Sequence, residues 1–208
     1  MKTTTASRFP AVATALAILI TCGFSIRPAQ AIYIVSLQQV GPDVVATGSG
    51  TIDLNGLSFV TNGAGVGSLF PLIGEIATGL DNSSFYDYTG FSGPSSFGAG
   101  PPTGDSSGSG DYVGIVGASN DLRVPKNYVS GTPLSDAATY SGYTLATLGV
   151  TPGIYTWTWG TGVHADSFTL YAGVPVPGVP DSGSTFGLLI VALVGLFGIS
   201  RLRARQLA

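Results

Sequence analysis

Residues 154–159 read Ile154-Tyr155-Thr156-Trp157-Thr158-Trp159, and their alternation decides the fold. Tyr155, Trp157 and Trp159 fall on one face, Thr156 and Thr158 on the other, which is the two-residue period of a half-buried strand. Gly160-Thr161-Gly162 turns the chain, and residues 166–171 return with Phe168 and Leu170 on one face. Working outward, the same pattern recurs. Residues 32–40 are rich in β-formers, and Gly41-Pro42-Asp43 is turn chemistry. Residues 44–47 and 51–54 read as short strands around Gly48-Ser49-Gly50, and Asn55-Gly56 signals a tight hairpin returning through 57–60. A glycine-rich loop is expected at 62–67. An apolar but Pro- and Gly-interrupted strand is expected at 68–77, and a long Gly/Ser/Pro loop over most of 81–111. Strands follow at 112–116 and 122–129, the latter bent or at an edge because of Pro125, while 138–148 reads equally as a strand pair or a helical turn. No stretch has the period of a long amphipathic helix. The expectation is one all-β, sandwich-like domain over residues 32–173.

Composition supports this. Glycine numbers 31 and proline 13 of 208 residues, and only 9% are charged. Aromatic residues make up 10%, enough to build a core and too many for a disordered polymer. All eleven acids lie within residues 43–181, where Arg123 and Lys126 are the only bases. A body this acidic argues against nucleic acid, whose binding rests on Lys and Arg. The single cysteine, Cys22, sits in the N-terminal apolar run, so the body holds no disulfide and no cysteine chemistry.

Both ends read as targeting segments. Lys2 and Arg8 precede an apolar run, and Ala29-Gln30-Ala31 offers a small-x-small cleavage site, so residues 1–31 are expected to be a signal peptide, helical in its apolar part. An uncleaved anchor is the alternative. Val174-Pro175-Val176-Pro177 opens a stiff linker over 174–180. Val179-Pro180-Asp181-Ser182-Gly183-Ser184-Thr185 follows, then an apolar run at 186–200, then Arg201, Arg203 and Arg205. Those arginines would hold the C-terminus in the cytoplasm. The run is 15 residues, about 22 Å of helix against a hydrocarbon core of about 30 Å. Snorkelling and local thinning cover the difference, and shortness suits an anchor that is later removed. A buried core helix is the alternative, but it leaves the motif and the arginines without a purpose.

This order of polar motif, apolar run and basic end resembles the VPDSG variant of the PEP-CTERM sorting domain. Residues 34–57, the run Ser109-Gly110-Asp111-Tyr112-Val113-Gly114-Ile115, and residues 129–170 are similar to bodies of short proteins of that kind. The resemblance implies Gram-negative export, handling by an exosortase-type membrane enzyme, and placement at the cell surface or in a matrix beside exopolysaccharide. It implies no activity for the body.

Three motifs could carry chemistry in the body. Gly104-Asp105-Ser106-Ser107-Gly108 matches the nucleophile pattern Gly-x-Ser-x-Gly, and His164, the only histidine, follows it as a serine hydrolase requires. No strand-to-helix context surrounds it, and a glycine–serine loop explains the match. Asp105, Asp111, Asp81, Asn82 and Asp87 offer oxygen ligands suited to calcium, but without a binding loop of known spacing they read first as acidic, solvated loops. One histidine cannot make a histidine-rich metal site. Tyr155, Trp157 and Trp159 would stack on sugar rings if exposed, and would be core if buried. No cofactor motif is present. The leading expectation is a non-enzymatic, structural or adhesive surface domain, with a glycan-binding module as the second reading and a hydrolase using Ser106 and His164 as the third.

Overall fold

A computed structural model describes residues 32–177. Thirteen strands occur in the order β1 (Ile32–Val40), β2 (Asp43–Gly50), β3 (Ser58–Gly65), β4 (Ser68–Phe70), β5 (Glu75–Thr78), β6 (Ser83–Thr89), β7 (Thr103–Gly104), β8 (Ser107–Gly110), β9 (Val113–Val116), β10 (Asp121–Pro125), β11 (Leu134–Tyr140), β12 (Gly153–Trp159) and β13 (Asp166–Ala172). Single 3-10 turns sit at Pro71–Ile73 and Gly162–His164. Among the described residues no helix is long and apolar enough to cross a membrane. The expected signal helix at 1–31, the span at 186–200 and the motif at 179–185 lie outside the described residues.

The strands make two open sheets, not a barrel. One runs β12-β13-β1-β2-β11-β8, the other β3-β6-β10-β9-β5-β4-β7. A single cluster joins Tyr33, Val35 and Leu37 of β1 and Phe168 and Leu170 of β13 to Leu69, Ile76, Ile115, Leu122 and Val124 of the other sheet. β1 lies parallel to β13 with Tyr33 opposite Phe168, and antiparallel to β2 through the expected turn at Gly41-Pro42. The all-β reading stands.

Several local expectations do not. Asn55-Gly56 closes no hairpin: β2 belongs to one sheet and β3 to the other, and residues 51–57 are the crossover between them. Ile52, fully buried, carries that crossover through the core edge, so its alternation mimicked a strand. Gly48 and Gly50 lie within β2 rather than between strands. Residues 62–65, expected as loop, extend β3 because the backbone ladder to β6 needs no side chains. Residues 83–89, expected as loop, form β6, with Phe85 and Asp87 on one face and Tyr86 and Tyr88 on the other. β10 is interior, between β6 and β9, and tolerates Pro125 because the strand ends there.

The rest of the expected long loop is tied down by its aromatics. Phe91 and Phe97 are buried, Ser92 exchanges both backbone hydrogen bonds with Thr158, and Ala99 N–H donates to the Gly149 carbonyl at 3.0 Å.

Candidate functional site at the β12–β13 turn

β12 ends at Trp159, and the chain must reverse at once to pair Trp159 with Asp166. Gly160 makes the reversal with φ +66°, where a side chain would run into the His164 carbonyl. The 3-10 turn then lifts His164 beside the β2–β3 crossover. Asp53 of that crossover is the hub. Its Oδ2 meets His164 Nδ1 at 2.8 Å, and its Oδ1 accepts from Asn55 N–H at 2.9 Å and Ser130 Oγ at 2.9 Å. Its N–H donates to Asp166 Oδ2 at 2.6 Å, and its carbonyl accepts from Trp159 Nε1 at 2.7 Å. A cleft of about 540 Å³ lined by Ser92, Thr158, Trp159, Asp166 and Ser167 opens here, with a second hollow of about 380 Å³ beside His164.

The two carboxyls behave oppositely. Burial pushes Asp166 up to about 6, although the N–H groups of Asp53 and Ser167 favour its ionised form. Burial also pushes Asp53 upward, but donors from Asn55, His164 and Ser130 outweigh it and hold Asp53 well below the usual carboxylate range. With Asp53 ionised, His164 donates from Nδ1, which fixes its tautomer. The hydroxyl bonded to Asp53, Ser130 Oγ, donates to it and accepts from Leu54 N–H. The cluster therefore ties crossover, hairpin turn and the 130 loop together, and it assembles no nucleophile.

Ser106 is not part of it. Ser106 precedes β8 at one edge of the six-stranded sheet, and His164 follows β12 at the other. Five strand spacings separate those edges, on the order of 20 Å. Ser106 N–H donates to the Thr139 carbonyl at 2.7 Å, and its Oγ accepts from Ser141 N–H at 3.0 Å. The hydrolase pairing fails on geometry.

The calcium candidates are dispersed. Asp87 faces Arg123, with Nε 3.9 Å from Oδ1, and Asp111 Oδ2 accepts from Ser135 N–H. Asp81 Oδ1 accepts from Gly67 N–H, and Asp105 lies near enough for the Asp81 charge to add to the effect of burial in raising it. Among the described residues no group of three or more metal-ligating side chains converges.

The aromatic row is core. Trp157 is 0% and Trp159 5% exposed, and Trp157 meets Phe168 edge-on at 5.7 Å. Trp157 Nε1 donates to the Pro94 carbonyl at 2.8 Å, so the long loop caps the indole. Tyr155 is half-buried against Phe97. The glycan platform expected of an exposed row has no free indole face.

Two arrangements escaped the sequence. Arg123 lies 5.4 Å over the Phe85 ring and 3.3 Å from Glu75 Oε1, beside Tyr112, on the outer side of the seven-stranded sheet. Its signal was present, since Arg123 and Lys126 are the body's only bases. Asp136 is buried between the sheets. It accepts from Thr78 Oγ1 at 2.5 Å and from the Tyr33 hydroxyl. The alternation Leu134, Asp136, Ala138, Tyr140 is the signal that could have placed it inward.

Beyond the described residues, residues 178–203 match the family model described as VPDSG-CTERM motif. The chain carries a PEP-CTERM-like sorting signal. The match takes in Val179–Thr185 and Arg201 and Arg203, while Arg205, Ala29 and Ala31 fall outside it. No curated protein matches the chain. No solved structure matches it either.

Proposed function

We propose that this chain is an exported surface or matrix protein, delivered through its C-terminal signal by an exosortase-type enzyme, whose β-body is structural or adhesive rather than catalytic. The sorting match at residues 178–203 carries the reading. An acidic β-body, a signal-like N-terminus and a basic C-terminal end are consistent with an outward path through the inner membrane. Exopolysaccharide is the setting in which such a body would serve, and the membrane is at least a transient partner. The absence of charge runs and the depth of the aromatic row favour scaffolding over capture of a small ligand.

The test is fractionation of the full chain expressed in a Gram-negative host with and without its exosortase-type enzyme. The body is expected at the surface or in the medium when the enzyme is present, and held at the inner membrane when it is absent or when Asp181 and Ser182 are both changed to alanine. Recovery of the unprocessed chain from the cytoplasm in every case would sink the reading.

A further inference from the structure

The two sheets end in four edges, and three of them are blunted. β7 is two residues long, β8 is Ser-Gly-Ser-Gly, and β12 is covered where Ser92 takes both backbone groups of Thr158. β3 is different. It has eight residues, no proline and no charge, and among the described residues its backbone pairs only with β6. Phe59 is 55% and Val60 53% exposed on it. Natural sheets protect such an edge with charge, proline, brevity or a bulge, and of these β3 carries only a bulge near its start.

The register says what would fit it. Phe59 sits opposite Tyr88 and Thr61 opposite Asp87, so Val60 is the bulged residue. Phe59, Asn62 and Ala64 then share the face of Tyr86 and Tyr88, where Phe59 meets both rings edge-on. Thr61, Gly63 and Gly65 share the face of Phe85 and Tyr112, which leave no room for a side chain at Gly63 or Gly65. The bulk of β3's own side chains therefore lies in its first half, and its second half carries small residues, with Phe85 and Tyr112 lying over Gly63 and Gly65. An antiparallel copy of the same strand, with Asn62 on the two-fold axis, sets Thr61 opposite Gly63, Phe59 opposite Ala64 and Ser58 opposite Gly65. Every such pair lies on one face, with each bulge at Val60 accommodated. Phe59 then meets Ala64, large against small, and Thr61 and Ser58 meet glycines. Charge points the same way. Residues 32–177 carry ten acids and two bases, yet β3 carries neither, so two copies can meet here without opposed carboxylates.

We propose that β3 is a homotypic docking edge, by which two copies of this chain join their seven-stranded sheets antiparallel into one continuous sheet. Eight residues span about 27 Å, a small interface. Pairing is therefore weak in dilute solution and gains from the crowding of copies on one surface, a benefit that rests on the function proposed above. The contact itself does not need sorting.

The experiment uses the full chain in detergent micelles, without any sorting enzyme, so its failure is separate from a failure of sorting. In a Cys22→Ser background, mild oxidation of Asn62→Cys is expected to give a covalent dimer, while Ser109→Cys on β8 stays monomeric. Adding Val60→Lys, at an exposed bulge, is expected to cut dimer formation about tenfold or more with an unchanged melting temperature. No cross-link at Asn62→Cys in a folded chain overturns the proposal. So does equal cross-linking at Ser109→Cys, or a dimer indifferent to Val60→Lys, either of which would place the association elsewhere.

Discussion

The hydroxyl of Thr78, in the seven-stranded sheet, donates to the Asp136 carboxylate, in the six-stranded sheet, at 2.5 Å. This is a polar bridge between two sheets whose shared core cluster is largely hydrocarbon and aromatic rings. The Tyr33 hydroxyl of β1 binds the other oxygen, and the Asp111 charge stands nearby. Burial is the largest influence on Asp136 and pushes it up to about 6, the hydrogen bonds from Thr78 and Tyr33 only partly opposing it.

That carboxyl is not alone, and the sign of its effect is fixed. Asp87 and Asp166 are also raised by burial to about 6. Each binds its proton more tightly folded than unfolded. Stability is thus lowest where all three are ionised and rises as pH falls from above 6 towards the ordinary aspartate value. The melting temperature is expected to be higher at pH 5 than at pH 7, with Asp136→Asn removing about a third of that rise. Below pH 4 the trend reverses in part, because Asp53, held low by Asn55, His164 and Ser130, stays ionised in the fold while its unfolded form takes up a proton. A flat melting temperature between pH 7 and 5 would count against the buried placement of these acids.

Gly48 owes its identity to the same bridge. A Cβ there would collide with both the Asp136 carboxylate and the Tyr33 hydroxyl. Gly48→Ala is expected to cost about 2–4 kcal/mol, because overpacking would also separate a buried hydrogen-bonded pair. Gly104→Ala, at a site with nothing within 4 Å, is the control and should lie within about 0.5 kcal/mol of the parent. Denaturant melts of the two variants decide it.

Trp157 tests the fate of the aromatic row. The indole is fully buried and its N–H is spent on Pro94. Trp157→Ala should lose about 3–5 kcal/mol, a large part of the 5–15 kcal/mol expected of a whole domain. Trp157→Phe should lose less, yet free residues 90–98 to proteolysis, since the Pro94 carbonyl loses its donor. A Trp157→Ala variant that melts like the parent would place the indole outside the core.

How much of this was legible follows from which interactions are local. β12 and β13 were readable because alternation and turn chemistry act within a few residues, and both are written in the Trp157 and Gly160 regions. The sorting motif was readable because it is a linear order of residue types. The sheet crossover was not, because Asn55-Gly56 turns the chain whether or not its flanks pair, and only Ile52 reaching the core decides that they do not. β6 was hidden because residues 81–91 hold turn formers at both ends, and Phe85 gains its value from Tyr112 and Arg123, distant in sequence. Ser106 and His164 matched a pattern whose meaning lies in a distance no pattern contains.

Arg123 supplies the sharpest local test. Among the described residues it is the one cation paired with Asp87, at 3.9 Å, and it also pairs with Glu75 at 3.3 Å while lying over Phe85. Burial raises Asp87 to about 6 even though the guanidinium opposes that rise. Removing the charge but keeping the stem, as in Arg123→Met, leaves the apolar contact on Phe85 and takes away the opposing force. Asp87 should then titrate still higher. The cost in stability at pH 7 is expected to be about 1–3 kcal/mol and to shrink at pH 5, where Asp87 can meet the loss by taking a proton. Carboxyl titration by NMR reads the first effect and melts at the two pH values read the second. An Asp87 that titrates at or below its parental value in Arg123→Met would mean that the arginine does not govern this carboxyl.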